Sequence, residues 1–557
     1  MAREREHPGL KQLKQQFNEG KLGRREFIRY ATLLGVSATA AYGMVGMVAP
    51  GKARAADMPK GGSMRIAMRV YKVDSPHTYS WLHDSNQGRG THEYLTKTGT
   101  DNVTRPYLCS KWEASDDLKT WDLHLQKVKW HNGRDFTADD VIWNIEHCLD
   151  PSTGSSVLGL MKGYMLEEYD TGEKDDAGNA KMSTRLWDAN AIEKVDDHTV
   201  RLNLKEAQVA VPEHMFHYPF AILDPEEGGA FGPGSNGTGP YPLVEQNVGE
   251  TAVLRKRDGW WGGETFLDEV IYVDLGDDPS AVVGALASQQ VHGQYSGDAD
   301  INTLDVLKSL PHLDIQEVST AATGVARLQM DREEFKDPRI SRAMRLAVDT
   351  PRCLELAYRN IGSPGEHHHV CPVHPDYKKL PFMNRDVEAA KKLLAEAGYP
   401  DGIELEIASK KEPAWELQAV QAMVEQWKEA GIRVNINLMP SAQFWDVWDK
   451  VPFGFTSWAH RPLGFMVLAL AYRSGVPWNE SRFSDAEFDA LLTKAEGTLD
   501  IAERTEIIGQ LQTIMQERGP ITQPLWRGVF AAFDKRALGV KIHPTGYIFP
   551  EELALQA

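Results

Sequence analysis

Residues 128–151 read VKWHNGRDFTADDVIWNIEHCLDP, and the punctuation of this stretch predicts a helix with both ends marked. Thr137 stands where an N-cap hydroxyl is needed, and Asp140, three positions later, can return the hydrogen bond. Val141, Ile145, Cys148 and Leu149 fall on one face before Pro151 stops the run. A helix with one apolar stripe needs a sheet or another helix to cover it.

The same grammar recurs along the chain. In KDPRISRAMRLAVDTP, Asp337 caps, Pro338 occupies the first turn, and Ile340, Met344, Ala347 and Val348 share a face. RDVEAAKKLLAEAGYPDG repeats Val387, Ala390, Leu394 and Ala397 along one stripe and ends at Gly398. Amphipathic helices are also expected from Ser484 and over 500–518. Between them lie β-branched or alternating segments: SMRIAMRV from Ser63, TWDLHLQ from Thr120, HTVRLNL from His198, TAVLRKR from Thr251, EVIYVDL from Glu269, IELEIAS from Ile403 and IRVNINLM from Ile432. Strands and helices mixed without strict alternation predict an α/β architecture of more than one lobe. The Gly- and Pro-rich stretch 228–242 reads as a surface loop.

A chain of 557 residues with 42% hydrophobic and 25% charged side chains has a globular composition and exceeds a single domain. Its 61 basic and 79 acidic side chains, a formal charge of -18, argue against nucleic acid or anionic lipid as the main partner. GRREFIR at 23–29, an uncharged run over 30–50 and ARA at 53–55 together read as an export signal of the twin-arginine type, removed near Ala55. An uncleaved membrane anchor is the alternative, because the run is about long enough to cross a bilayer. Without residues 1–56, which hold ten basic and four acidic side chains, the chain would carry 51 against 75, or -24. No cysteine precedes Cys109, so no lipid-attachment cysteine is available. Cys353 with Cys371 is one disulfide reading of the four cysteines, and reduced buried thiols are the other.

Signatures of nucleotide and hydrolase chemistry are missing: there is no phosphate-cradling glycine loop, no nucleophile elbow and no zinc-protease helix. One cluster stands out, GEHHHVCPVHP, with His367, His368, His369, Cys371 and His374. Imidazole and thiolate suit zinc, nickel or copper, which would make His367, His369 and His374 the metal ligands of a metallohydrolase. The alternative is that the imidazoles, His367 and His368 among them, line a cleft as hydrogen-bond partners of a ligand. Of the fifteen tryptophans, Trp112, Trp121, Trp130 and Trp143 sit in strand or helix contexts and are expected in the core. Tyr79, Trp81, Trp458 and Trp478 sit in turns near histidines or arginines, where a ring can close over a ligand.

Five segments in order, namely VKWHNGRDFTADDVIWNIEHCLDP, GTGPYPL from Gly237, LRKRDGWWGGETFLDEVIYV from Leu254, FKDPRISRAMRLAVDTPRCLELAY and AAKKLLAEAGYPDG, span 128–402. In sequence and spacing the chain resembles the bacterial solute-binding proteins that serve peptide, oligopeptide and nickel ABC transporters. The resemblance implies an α/β, two-lobed periplasmic binding protein fold of type II, with an extra subdomain in the first lobe and two crossing segments. On that layout 1–56 is the leader, 57–324 the first lobe, 325–525 the second, and 526–557 the return to the first. It also implies a monomer that closes over its solute, docks on an inner-membrane permease, needs no cofactor and catalyses nothing. Tyr79, Trp81 and His83 lie in a loop that in this family faces the cleft, and Tyr295 and Arg327 lie near the crossing points. The peptide binders share a Trp-x-x-Asp stretch whose carboxylate pairs with the ligand ammonium. Here the corresponding stretch is Trp458-Ala459-His460-Arg461, and an arginine replaces the aspartate. A guanidinium there repels an ammonium and offers two donors to an oxyanion, so a peptide or another small, anionic, amino-acid-like solute is expected, with His460 and Trp478 beside it; the alternative is Arg461 paired to a nearby Asp or Glu and only supporting the loop. A nickel or metal-chelate receptor is the alternative within the family.

Overall fold

The computed structural model describes residues 6–49, 58–174 and 180–557. The expected cleavage site at Ala53 to Ala55 lies outside them. The helix of the opening stretch runs Ala138–Leu149, and its capping box is complete: Thr137 bonds the backbone of Asp140, and the Asp140 carboxylate accepts from the Thr137 N–H at 2.8 Å. That helix covers an antiparallel sheet of four strands in the order Cys109–Ala114, Thr120–Leu125, Thr199–Asn203 and Ile192–Asp196. This is the extra subdomain.

The main sheet has twelve strands. From one edge it runs Leu243–Asn247, Thr251–Arg255, Glu269–Val273, Ser63–Ala67, Gly293–Gln294, Leu525–Asp534, Leu313–Leu328, Phe453–Trp458, Ile403–Lys410 and Ile432–Met439. Two short strands, Gly362–Pro364 and Ile521–Thr522, pair off this path. The long pair Leu313–Leu328 and Leu525–Asp534 lies at the centre of this sheet. They pair antiparallel from Leu313↔Asp534 to Thr323↔Trp526, with a register break between Ser319 and Ala322. Beyond the break the first of them pairs with Phe453–Trp458 in the second lobe, from Thr323↔Trp458 to Leu328↔Phe453.

A register break frees backbone groups that must find other partners. The Ala321 N–H donates to His460 Nδ1 at 3.0 Å, the Thr320 hydroxyl donates to the Arg527 carbonyl at 2.8 Å, and the Cys371 thiol lies 3.6 Å from the Thr320 carbonyl. The crossing point is therefore tied by side chains from the second lobe.

Each predicted strand and helix is present, with one addition. The helix capped by Asp337 runs Pro338–Leu346, and a second, unforeseen helix, Thr350–Tyr358, follows because Asp349 caps a new start by accepting from the Arg352 N–H. All four cysteines are free and buried, which corrects the Cys353 with Cys371 pairing. Trp112, Trp121 and Trp130 are buried as expected, whereas Trp143 is half-buried and stacks on His147.

The segment read as an export signal folds onto the body as three short helices, α1 (Pro8–Asn18), α2 (Arg24–Leu33) and α3 (Ala38–Met44). Arg24 and Arg25 are exposed, while residues 27–34 are buried. The Tyr30 hydroxyl donates to Asp376 at 2.5 Å under the Arg504 guanidinium, and Arg29 donates to the carbonyls of Asn102 and Pro462. Trp112 donates its indole N–H to the Leu33 carbonyl. No helix among the described residues is long and apolar enough to cross a membrane.

Removing the Tyr30 ring should cost about 3–5 kcal/mol at this contact, the usual loss for a buried aromatic. Limited trypsin digestion is the check. In Tyr30→Ala the segment before residue 50 should be released faster than from the unchanged chain, with the body intact. Equal release rates would contradict the docking.

Candidate functional site

Between the lobes lies a cavity of about 250 Å³, near the small end of the roughly 300–1,000 Å³ common for small-molecule sites. Aromatic rings form a continuous wall around it. Trp81 of the first lobe meets Trp445 of the second at 5.0 Å between centroids, Trp445 meets Trp448 at 5.9 Å, and Trp448 meets Trp478 at 6.4 Å. Trp478 also touches Trp458 at 5.9 Å and, back across the cleft, Tyr218 at 5.8 Å. Tyr71, His83 and Tyr295 continue the wall on the first-lobe side. Such rings offer large, stiff apolar faces at little cost in conformational entropy.

Six of the eleven expected site residues line this cavity: Trp81, His83, Tyr295, Trp458, Arg461 and Trp478. His83 donates through Nε2 to Asp298 at 2.6 Å. Burial would push the Asp298 carboxyl up, but His83 and Arg69 outweigh it and hold the group below the usual carboxylate range. Burial pushes the Tyr295 phenol up, so Tyr295 faces the cavity as a neutral hydroxyl.

Arg461 is 4% exposed. Its Nη1 donates to the carbonyls of Ala459 and His460, its guanidinium stands 5.5 Å from the Tyr218 ring centroid, and its Nε has no partner. Among the described residues no carboxylate comes within ion-pair distance of it. Its backbone is held from behind. The Cys371 N–H donates to His374 Nδ1, which leaves Nε2 protonated to donate to the Arg461 carbonyl at 3.0 Å.

The other five sit elsewhere. Arg327 is fully buried; its Nε donates to Glu480 at 2.7 Å, and its Nη atoms donate to the carbonyls of Val451 and Trp448. Its reading as a ligand contact is corrected to a supporting one. Glu480 also accepts from Thr456 at 2.6 Å and from the Trp458 indole at 3.0 Å, so this ion pair fixes a wall ring. Tyr79 packs in the first-lobe core, outside the lining. His460 turns to the crossing point, bonding Ala321 and Asn102.

His367 and His368 lie outside the lining and are buried. His367 accepts from the Gln523 N–H and His368 from the Val370 N–H. The loop turns through left-handed backbone at His367 (φ 63) and His369 (φ 59), which aims successive imidazoles at different neighbours. His369 meets the Tyr472 hydroxyl at 2.8 Å and backs Trp458. Among the described residues no three His, Cys, Asp or Glu side chains gather as a metal site, so the set His367, His369 and His374 does not form one.

Sequence reading missed Tyr71, Tyr218, Lys410, Trp445, Trp448 and Arg527. Lys410 is buried over the Trp445 ring and paired with Glu416; burial pulls its ammonium down and Glu416 partly restores it. Arg527 was detectable as the one cation in the otherwise apolar crossing strand LWRGVFAAFD before its terminal Asp534. The tryptophans 445 and 448 follow a proline turn and have no distinguishing neighbours in sequence.

Two lobes with an aromatic cavity between them define a solute receptor. The model for bacterial extracellular solute-binding proteins, family 5, matches residues 104–474, well over half of the chain, and the chain belongs to that family. The heme-binding protein A of Haemophilus influenzae is 25% identical over 494 residues, covering 81% of this chain and 84% of that one. Two solved structures have the same fold. The periplasmic binding protein DppA from Helicobacter pylori, in complex with the peptide STSA, has a TM-score of 0.76 at 18% identity and covers 90% of this chain and 99% of its own. AgaA from A. tumefacien R10, in complex with agropinic acid, has a TM-score of 0.77 at 22% identity and covers 89% and 99%. Members of this family are substrate-binding components that work with ABC permeases.

The buried histidines make the protein acid-sensitive. Burial pulls His367 and His374 down to about 3, from an ordinary value of 6.5. The unfolded chain therefore takes up these protons first, so their contribution is complete above pH 6.5 and is lost as pH falls toward 3. Each such histidine contributes a slope of about 1.4 kcal/mol per pH unit. Urea unfolding should show stability dropping between pH 6.5 and 5, and a flat profile down to pH 4 would contradict this placement.

Proposed function

We propose that this protein is the receptor of an ABC importer for a small, anionic, amino-acid-like solute, with Arg461 meeting the anionic group. The observation that carries the reading is a guanidinium buried in an aromatic cavity without a carboxylate partner. Leaving such a cation unpaired is costly, and a solute oxyanion supplies the missing charge through two parallel hydrogen bonds. Trp81, Trp458 and Trp478 flank the solute, with His83 and Tyr295 as polar contacts on the first-lobe side. The reading is supported by AgaA, a protein of the same fold in complex with agropinic acid. The metal-chelate and metallohydrolase readings have no support in the placement of the histidines.

The lobes divide near residues 324 and 525, beside the register break in the crossing strands. Residues 1–56 act as a twin-arginine leader whose arginine pair stays exposed while residues 27–34 are buried, and the processed monomer works in the periplasm.

Titration calorimetry with the solute released from the purified protein is the test. Arg461→Ala should cost about 2 kcal/mol or more, roughly a thirtyfold loss of affinity or greater. Unchanged affinity would end the anion reading.

A further inference from the structure

Arg461 is not the only guanidinium in the cavity without a countercharge. Arg527, from the second crossing strand, also lines it. Its Nε and Nη1 are buried with no hydrogen-bond partner, and its guanidinium stands 5.1 Å from the Trp415 ring centroid. Four of the acids around the cavity are already engaged. Glu416 pairs with Lys410, Asp298 with His83, Asp277 with Arg69, and Asp300 accepts from the Asn302 N–H. Glu412 is left with one buried oxygen unpartnered, and burial, then the charge of Asp300, push its carboxyl up. The other cation beside Arg527 is the Lys410 ammonium, which Arg527 further disfavours.

We propose that the solute carries two separate anionic groups, and that Arg527 holds the second as Arg461 holds the first. This rests on the reading of Arg461 given above and extends it to a substrate class: small organic dianions with an apolar or ring-bearing middle, such as N-carboxyacyl amino acids. Two guanidiniums favour two carboxylates geometrically as well as by charge, because each planar fork matches one carboxylate. The tryptophan wall suits the apolar middle. Arg527 also belongs to the hinge: it pairs with Ala322 beside the register break, and its carbonyl accepts from Thr320. An anion held there is held at the point where the lobes turn.

The test uses the full chain and three probes of matched size: N-succinyl-L-phenylalanine, a dianion; N-butyryl-L-phenylalanine, a monoanion; and N-butyryl-L-phenylalanine amide, which is neutral. Calorimetry at pH 7.5 should show the dianion binding about tenfold or more tightly than the monoanion, as a desolvated charge pair requires. The neutral amide should bind weakest. Arg527→Met should erase the preference for the dianion. The proposal is overturned if that preference survives in Arg527→Met, if the unchanged protein binds the monoanion as well as the dianion, or if none of the probes binds at millimolar concentration. Arg461→Met should weaken both charged probes; if it weakens neither, the reading of Arg461 fails first. A second readout needs no ligand. Replacing an uncompensated cation with an apolar side chain of similar length should raise the melting temperature of the ligand-free protein. A fall would mark Arg527 as part of the scaffold and overturn the proposal.

Discussion

A cation held away from water needs an anion or a set of dipoles, and the surroundings of Arg461 supply only part of that need. Two backbone carbonyls and the face of Tyr218 attend to it, while the buried carboxylate of Glu480, which holds the Trp458 indole, is spent on Arg327, Thr456 and that indole. That division of labour is what gives the cavity its character. Glu480 makes the wall rigid, and Arg461 leaves it positive.

The same side chains connect the cavity to the hinge. His460 precedes Arg461 and receives the Ala321 N–H, and Cys371, whose own N–H bonds His374, reaches the Thr320 carbonyl. Both contacts land on the two residues where the crossing strands lose register. A solute that pulls on Arg461 therefore acts on a segment already bonded to the hinge. Trp81 with Trp445 and Tyr218 with Trp478 meet across the cleft beside it.

Much of the fold was legible because local rules and tertiary packing agree. Thr137 with Asp140, Asp337 with Pro338 and Gly398 each mark an end that the structure keeps. The site was half legible. Trp458 to Arg461 drew attention because a cation interrupts an apolar run, and four of the flanking aromatic and imidazole residues line the same cavity. Arg327 and the histidine loop misled for one physical reason: a buried polar side chain and a ligand-binding one look alike in sequence, and only the position of the partner separates them. Arg327 finds Glu480 153 positions away, and His367 finds the backbone of Gln523 156 positions away. Trp445 and Trp448 were silent because a ring lining a cavity and a ring filling a core have the same residue type and spacing.

The central claim is that two lobes hold an anionic guest and release it unchanged. Native mass spectrometry of the protein taken from its own periplasm tests this most directly. The account predicts one small molecule bound without a covalent link, bearing at least one acidic group, and identical in mass before binding and after release. A neutral or cationic guest, or one that leaves chemically altered, would contradict it.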